Sequence, residues 1–278
     1  MNALSALFMA WIFPWVPKRL LSRFTGVLMR VPLGPLSGLL IPVFAKAFKI
    51  NAGEAEFEPG HYRSFDDFFT RRLKPGLRPI SADFIHPCDS RLTENGPVRE
   101  GELIQAKGWT YPLAEFIGDS KLAAAYGRGG FVTYYLCPTD YHRVHSPLTG
   151  TLVSARHIPG LLWPVNKWSV TNIRRLFNLN ERVVLNFESA LGRWSLVMVG
   201  ATNVGHMTMT VDPSIITNRW LWHAPTDRHY SPVQSIQVGD ELGMFHLGST
   251  VICIFEWAPQ VLTEQPVQLG QPYGAPIN

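Results

Sequence analysis

The chain has 278 residues and a formal charge of +4, with 46% hydrophobic and 17% charged residues. That balance is ordinary for a globular protein rather than a disordered one, and the length suits one large domain with an appendage or two small domains. The three cysteines, Cys88, Cys137 and Cys253, have neither metal nor redox spacing, so they read as free thiols in a reducing compartment.

The N-terminal fifty residues stand apart. They hold Lys18, Arg19, Arg23, Arg30, Lys46 and Lys49 and no acidic residue, which leaves the remainder at −2. Leu4 to Trp15 is apolar but spans only about a dozen residues, too short to cross a bilayer. No small-residue cleavage site follows in the usual form, so a signal peptide is not expected. From Lys18 to Val31, Leu20, Leu21, Phe24, Val27 and Leu28 recur at three- and four-residue spacing among arginines, which predicts an amphipathic helix stopped by Pro32 and Pro35. A further helix is expected from about Leu36 to Phe48. Such helices either lie in a membrane interface, with Lys and Arg among anionic head groups, or cap the protein's own core. Nucleic acid is not the expected partner, because no recognised nucleic-acid module accompanies the charge.

Residues 51–61 are polar, with Gly53, Pro59 and Gly60, and read as a linker, dividing the chain into a helical segment, 1–50, and a body, 51–278. Ser64 can cap a short helix whose first turn carries Asp66 and Asp67 and whose buried face is Phe65, Phe68 and Phe69. Beyond Pro79 strands dominate. The runs Phe131–Leu136, Arg182–Phe187, Trp194–Val199 and Val251–Phe255 are β-rich, and Thr208, Thr210 and Val211 suggest another strand. Helical pieces are expected near Leu113–Ile117, Lys121–Tyr126 and Val170–Leu176. With 23 Gly and 22 Pro, the composition points to an α+β fold: a β-rich body of sandwich or barrel-like sheets with amphipathic helices at its N-terminus.

The candidate chemistry centres on Leu247-Gly248-Ser249-Thr250, a turn that enters the strand Val251–Phe255. Asp89, in His86-Pro87-Cys88-Asp89, and His142 and His145, in Asp140-Tyr141-His142-Arg143-Val144-His145, complete a Ser/His/Asp set. A serine hydroxyl needs a base to take its proton, and a carboxylate holds that base in the useful tautomer. With nine His and 21 acidic residues the set proves nothing by itself. Its context carries more: Arg63-Ser64-Phe65, Arg71-Arg72-Leu73, Gln105-Ala106-Lys107-Gly108, Pro159-Gly160, Val165-Asn166, Asn180-Glu181-Arg182-Val183, Val199-Gly200-Ala201 and Gly270-Gln271-Pro272 occur in the same order. From about Phe48 to the C-terminus the chain thereby resembles the phosphatidylserine decarboxylases, a family of self-cleaving, pyruvoyl-dependent lyases.

The resemblance implies specific roles. Ser249 would attack the carbonyl carbon of Gly248, with His145 as base and Asp89 orienting it, cutting the chain between Gly248 and Ser249 and converting Ser249 into a pyruvoyl group. That group would form a Schiff base with phosphatidylserine, and His142 would deliver the proton after CO2 leaves, releasing phosphatidylethanolamine. A purely structural histidine is the alternative for His142. No metal is implied. The products, 1–248 and 249–278, would remain associated non-covalently, and a homodimer is compatible with the pattern. The enzyme would sit peripherally on an anionic membrane, at the cytoplasmic face. Trp163, Val165 and Asn166, in the apolar loop Pro159–Asn166, would either contact substrate or pack the core. One departure stands out: Ser90 follows Asp89 where the family commonly has Gly. Two other readings compete, a serine hydrolase that keeps Ser249 intact and a non-catalytic lipid-binding protein. The absence of a Gly-x-Ser-x-Gly elbow counts against the first.

Overall fold

The computed structural model describes residues 15–106, 108–202, 206–218, 224–246, 248–273 and 276–277. The expected apolar stretch Leu4–Trp15 falls outside them except for Trp15, as do Lys107 and Leu247.

Helices α1 (Lys18–Met29) and α2 (Ser37–Phe48) form where the apolar spacing predicts them. Among the described residues no single helix is long and apolar enough to cross a bilayer, and α1 is bent by 92° from the stretch Gly34–Phe48. Leu20, Phe24, Val27, Leu28, Leu36, Leu39 and Val43 are exposed along this pair. The linker is two 3₁₀ turns, Ala52–Glu54 and Pro59–His61. α3 (Phe65–Phe69) begins as expected, with Ser64 Oγ accepting the Asp67 N–H at 3.1 Å. Ile41 and Ala45 of α2 share a small core with Ile50, Tyr62, Phe68 and Phe69, so the packing runs across residue 50.

The body is a mostly antiparallel α+β structure. In chain order its strands are β1 (Ser90–Pro97), β2 (Glu102–Ala106), β3 (Trp109–Pro112), β4 (Gly130–Tyr135), β5 (Arg143–His145), β6 (Gly150–Ile158), β7 (Arg182–Ser189), β8 (Gly192–Val199), β9 (Met207–Met209), β10 (Thr226–Ile236), β11 (Glu241–Phe245), β12 (Thr250–Phe255), β13 (Ala258–Pro259), β14 (Gln265–Val267) and β15 (Pro276–Ile277). Eight of them form one sheet in the order β10-β6-β7-β8-β12-β4-β1-β14, and β5-β11-β9 form a second, three-stranded one. β12 lies between β8 and β4, and all six of its residues are buried. The short helices are α4 (Leu113–Ile117), α5 (Ser120–Ala125), α6 (Lys167–Asn172) and α7 (Leu176–Leu179). The single helix expected over Val170–Leu176 is therefore two. Asn166 starts the first early by accepting the Ser169 N–H at 3.0 Å, and Arg175, at φ 56°, breaks the chain before the second.

Candidate active site

Each candidate residue sits at the end of a strand or in a loop beside one. Ser249 immediately precedes β12 and is fully buried. Its carbonyl accepts the Leu136 N–H at 2.8 Å, and its hydroxyl donates to the carbonyl of Val199, the last residue of β8. Gly248 is held so closely that a Cβ there would lie 2.9 Å from the Leu136 carbonyl oxygen and 3.4 Å from His142 Nε2. A side chain at 248 would collide with backbone, which accounts for glycine at this position.

His142 is completely buried. Its Nδ1 lies 2.8 Å from the Asp140 carbonyl oxygen, so Nδ1 is the donor, and Nε2 carries the lone pair when the ring is neutral. Phe69 of α3 covers the ring at a centroid distance of 4.1 Å. Nε2 has no hydrogen-bond partner among the described residues, an expensive state for a buried polar atom unless a ligand or reacting group uses it. Burial pulls the His142 pKa down to about 3; the Asp140 carbonyl opposes this shift, and the buried guanidinium of Arg71 adds to it.

His145 closes β5. Its Nδ1 donates to the Gly239 carbonyl at 2.8 Å, and Nε2 faces the Tyr141 hydroxyl at 3.4 Å. Burial lowers its pKa too, which favours the neutral ring. Asp89 is clamped by Arg78, whose Nε donates to Oδ1 at 2.9 Å and whose Nη2 donates to Oδ2 at 2.6 Å. Asp89 also accepts the Leu269 N–H at 2.9 Å, and Arg78 reaches on to Glu54 at 3.0 Å. The clamp pushes the Arg78 pKa upward.

The structure thus brings His142 to the Gly248–Ser249 segment. Among the described residues, Asp89 and His145 share no hydrogen bond, nor do His145 and Ser249. The 86–90 loop is nevertheless tied to His145, whose N–H bonds the Pro87 carbonyl at 2.8 Å, and the Asp89 charge favours the protonated form of His145. Ser90, the first residue of β1, is buried and has no positive φ, so a side chain is accommodated there.

Of the three loop residues expected to meet substrate, Val165 lines a cavity of about 510 Å³ together with Thr133, Tyr135, Val170, Phe177 and Thr250. Thr250 places that cavity next to Ser249. The Asn166 side-chain oxygen is occupied in capping α6, and Trp163 lies under the Lys18 ammonium at 3.9 Å. Sequence reasoning missed Arg78, Phe69 and the Gly239 carbonyl. Arg78 lies eleven residues before Asp89 in a Pro-rich turn, and no local pattern pairs the two. The described residues include no cluster of metal-ligating side chains.

Fold and site together define an α+β enzyme with a Gly-Ser junction, its serine buried, at the entry to strand β12. A sequence model of the phosphatidylserine decarboxylase family matches residues 65–275. The chain is 41% identical over 269 residues to the phosphatidylserine decarboxylase proenzyme of Anaeromyxobacter sp. (strain K), covering 93% of this chain and 95% of that protein. It is 38% identical over 273 residues to the proenzymes of Vibrio parahaemolyticus serotype O3:K6 and Shewanella sediminis, covering 93% of this chain and 95% and 94% of theirs. The chain belongs to the phosphatidylserine decarboxylase family.

Proposed function

We propose that the chain is a self-processing decarboxylase that converts phosphatidylserine to phosphatidylethanolamine at a membrane surface. The observation that carries this reading is the Gly248–Ser249 junction, fixed at the entry to β12 beside the unpartnered Nε2 of His142. The word proenzyme in the relatives' names supports chain processing.

In the maturation step, Ser249 Oγ bonds to the Gly248 carbonyl carbon while its proton passes to His145, and the peptide bond becomes an ester. Elimination then breaks the Cβ–O bond of residue 249 and leaves Gly248 as a C-terminal carboxylate. Hydrolysis of the remaining unsaturated residue releases ammonia and leaves a pyruvoyl group. The hydroxyl must first turn away from the Val199 carbonyl. The Gly239 carbonyl fixes the His145 tautomer with Nε2 as base, and Asp89 favours the imidazolium through its charge.

The site suits such a group: Ser249 is buried, the backbone at Gly248 is closely held, and a histidine nitrogen without a hydrogen-bond partner among the described residues lies beside it. A pyruvoyl group supplies a ketone that takes up the substrate amine and accepts electron density as CO2 departs. His142 then has one task, holding a proton on Nε2 and passing it to the substrate α-carbon. Its depressed pKa makes it a strong donor once protonated. The cavity lined by Thr250 and Val165 offers room for substrate beside residue 249. No metal is required.

We further assign the enzyme to the membrane periphery at the cytoplasmic face, with the apolar side chains of α1 and α2 in the acyl boundary and their Lys and Arg among anionic head groups. The test is direct. Wild-type protein mixed with phosphatidylserine vesicles should release CO2 and accumulate phosphatidylethanolamine, and Ser249→Ala should do neither. Full decarboxylation by Ser249→Ala would refute the reading.

A further inference from the structure

A second cavity, of about 290 Å³, lies under α1. One face of that helix lines it through Ser22, Arg23, Gly26 and Val27, Arg30 just past its end joins them, and the body contributes His206, Ile216, Thr217, Asn218 and His246. Among the described residues its charged and titratable lining is basic. In contrast, the 510 Å³ cavity balances Arg91 and Lys167 against Glu94 and Glu264. Arg23 donates to the Asn218 carbonyl, which stations its guanidinium at the wall. The rings of His206 and His246 lie 4.6 Å apart. His246 is anchored by Asp66, whose Oδ1 lies 2.9 Å from Nδ1, and by the Thr208 hydroxyl at 2.7 Å from Nε2; Asp66 also faces Arg30 at 3.7 Å. Burial first, then the charges of His246 and Arg30, pull the His206 pKa down to about 4, against the opposing charge of Asp66.

The rim has a different character. Val27 and Ile216 are 66% and 58% exposed, and the rim continues into the exposed apolar residues of α1, Leu20, Phe24 and Leu28. A basic floor under an apolar rim fits an anion that carries acyl chains better than a free anion. The cavity is also close to the reacting junction. His246 lies three residues before Ser249, and α3 presents Asp66 to His246 and, one helical turn on, Phe69 to His142. In a serine phospholipid only an ester oxygen and one methylene separate phosphorus from the α-carbon.

We propose that this cavity is a seat for the phosphodiester of a membrane phospholipid, held by Arg23, Arg30 and the His206–His246 pair. The inference rests on the reading that the chain works on phospholipid. The Arg guanidinium groups give the charge-assisted, planar recognition that phosphate oxygens favour.

The probe is dibutanoyl-phosphatidylglycerol, a soluble phosphodiester without an amine, titrated calorimetrically into the self-cleaved protein. Wild type should bind it, and Arg23→Gln and Arg30→Gln should each weaken binding by about 10- to 100-fold, the usual worth of a hydrogen bond to a charged group. Because Arg30 also pairs with Asp66, the extent of self-cleavage and the thermal transition of each variant must match wild type. Arg23→Gln, which leaves that pair alone, carries the test if Arg30→Gln misfolds. Competition with soluble phosphatidylserine would assign the seat to the substrate's own phosphodiester, and binding without competition would assign it to a second lipid. Failure of wild type to bind, unchanged binding by folded Arg23→Gln, or binding of inorganic phosphate but not of the lipid would overturn the inference. If wild type decarboxylates phosphatidylserine in any of those cases, only the seat is lost. If wild type neither self-cleaves nor decarboxylates, the functional reading fails on separate grounds.

Discussion

Strand β12 and helix α1 both carry large apolar residues and treat them in opposite ways. Every residue of β12 is buried between β4 and β8, whereas Leu20, Phe24, Val27 and Leu28 of α1 remain exposed. Removing apolar surface from water stabilises whichever state achieves it. In β12 that state is the folded chain, and in α1 we assign it to the membrane-bound protein. The strand also has to outlive the cut proposed just before it. Ladders on both sides, together with the β1–β14 pairing and the Asp89–Leu269 bond, hold the 249–278 segment without a covalent link.

The contrast is most sharply broken at the junction. Ser249→Ala should remain one chain, with decarboxylation reduced to background. Asp89→Ala and His145→Ala should slow self-cleavage by about 10²–10⁴-fold, followed as a time course because a single turnover creeps forward. His142→Ala should cut normally and let borohydride fix phosphatidylserine to the 249–278 peptide, yet turn over slowly. An uncut His142→Ala alongside a cut but slow His145→Ala would reverse the two roles, an outcome made pointed by the approach of His142 Nε2 to Gly248.

Smaller effects sharpen the same comparison. Ile252→Ala, in the buried strand, should cost about 2–5 kcal/mol of stability by urea unfolding, from lost burial and a residual cavity. Phe24→Ala, 69% exposed on α1, should change stability by no more than about 0.5 kcal/mol but weaken binding to anionic vesicles by about tenfold or more. Deleting residues 1–30 should weaken vesicle binding more than turnover of a soluble short-chain substrate, and raised salt should weaken wild-type binding. Equal vesicle binding by the deletion would make α1 a structural cap.

Acid should act on the body. His142, His86 and His206 have folded pKa values of about 3, about 4 and about 4, below the ordinary 6.5. Depressed histidines bind fewer protons folded than unfolded, so their stabilisation is complete above pH 6.5 and is lost as pH falls toward 4 and 3. Asp140, pushed up to about 6 by burial, opposes this in part. The melting temperature should therefore fall between pH 6.5 and pH 4, as thermal scans across that range will measure.

The sequence announces what is local. Phe131–Leu136 and Val251–Phe255 read as strands because they are mostly β-branched or aromatic, and Ser64 with Asp66 and Asp67 announces α3. β10 escapes notice because it is a polar sheet edge containing Pro232, with exposed side chains and no alternation. The resemblance names Asp89, His142, His145 and Ser249, but nothing in the order of residues pairs Arg78 with Asp89 or hands His145 to Gly239. Along the extended chain, residues three apart face opposite sides, so which of the two histidines meets Gly248 depends on the placing of β5 against β11 and of Phe69 above it.

The central claim, that Ser249 is consumed to make the reactive group, is tested most directly by mass analysis of the purified protein under denaturing conditions. Two chains are predicted: 1–248, and 249–278 lighter than its sequence by one ammonia and blocked to stepwise sequencing. A single intact chain that decarboxylates phosphatidylserine at full rate, or a 249–278 peptide beginning with a free serine amine, would contradict it.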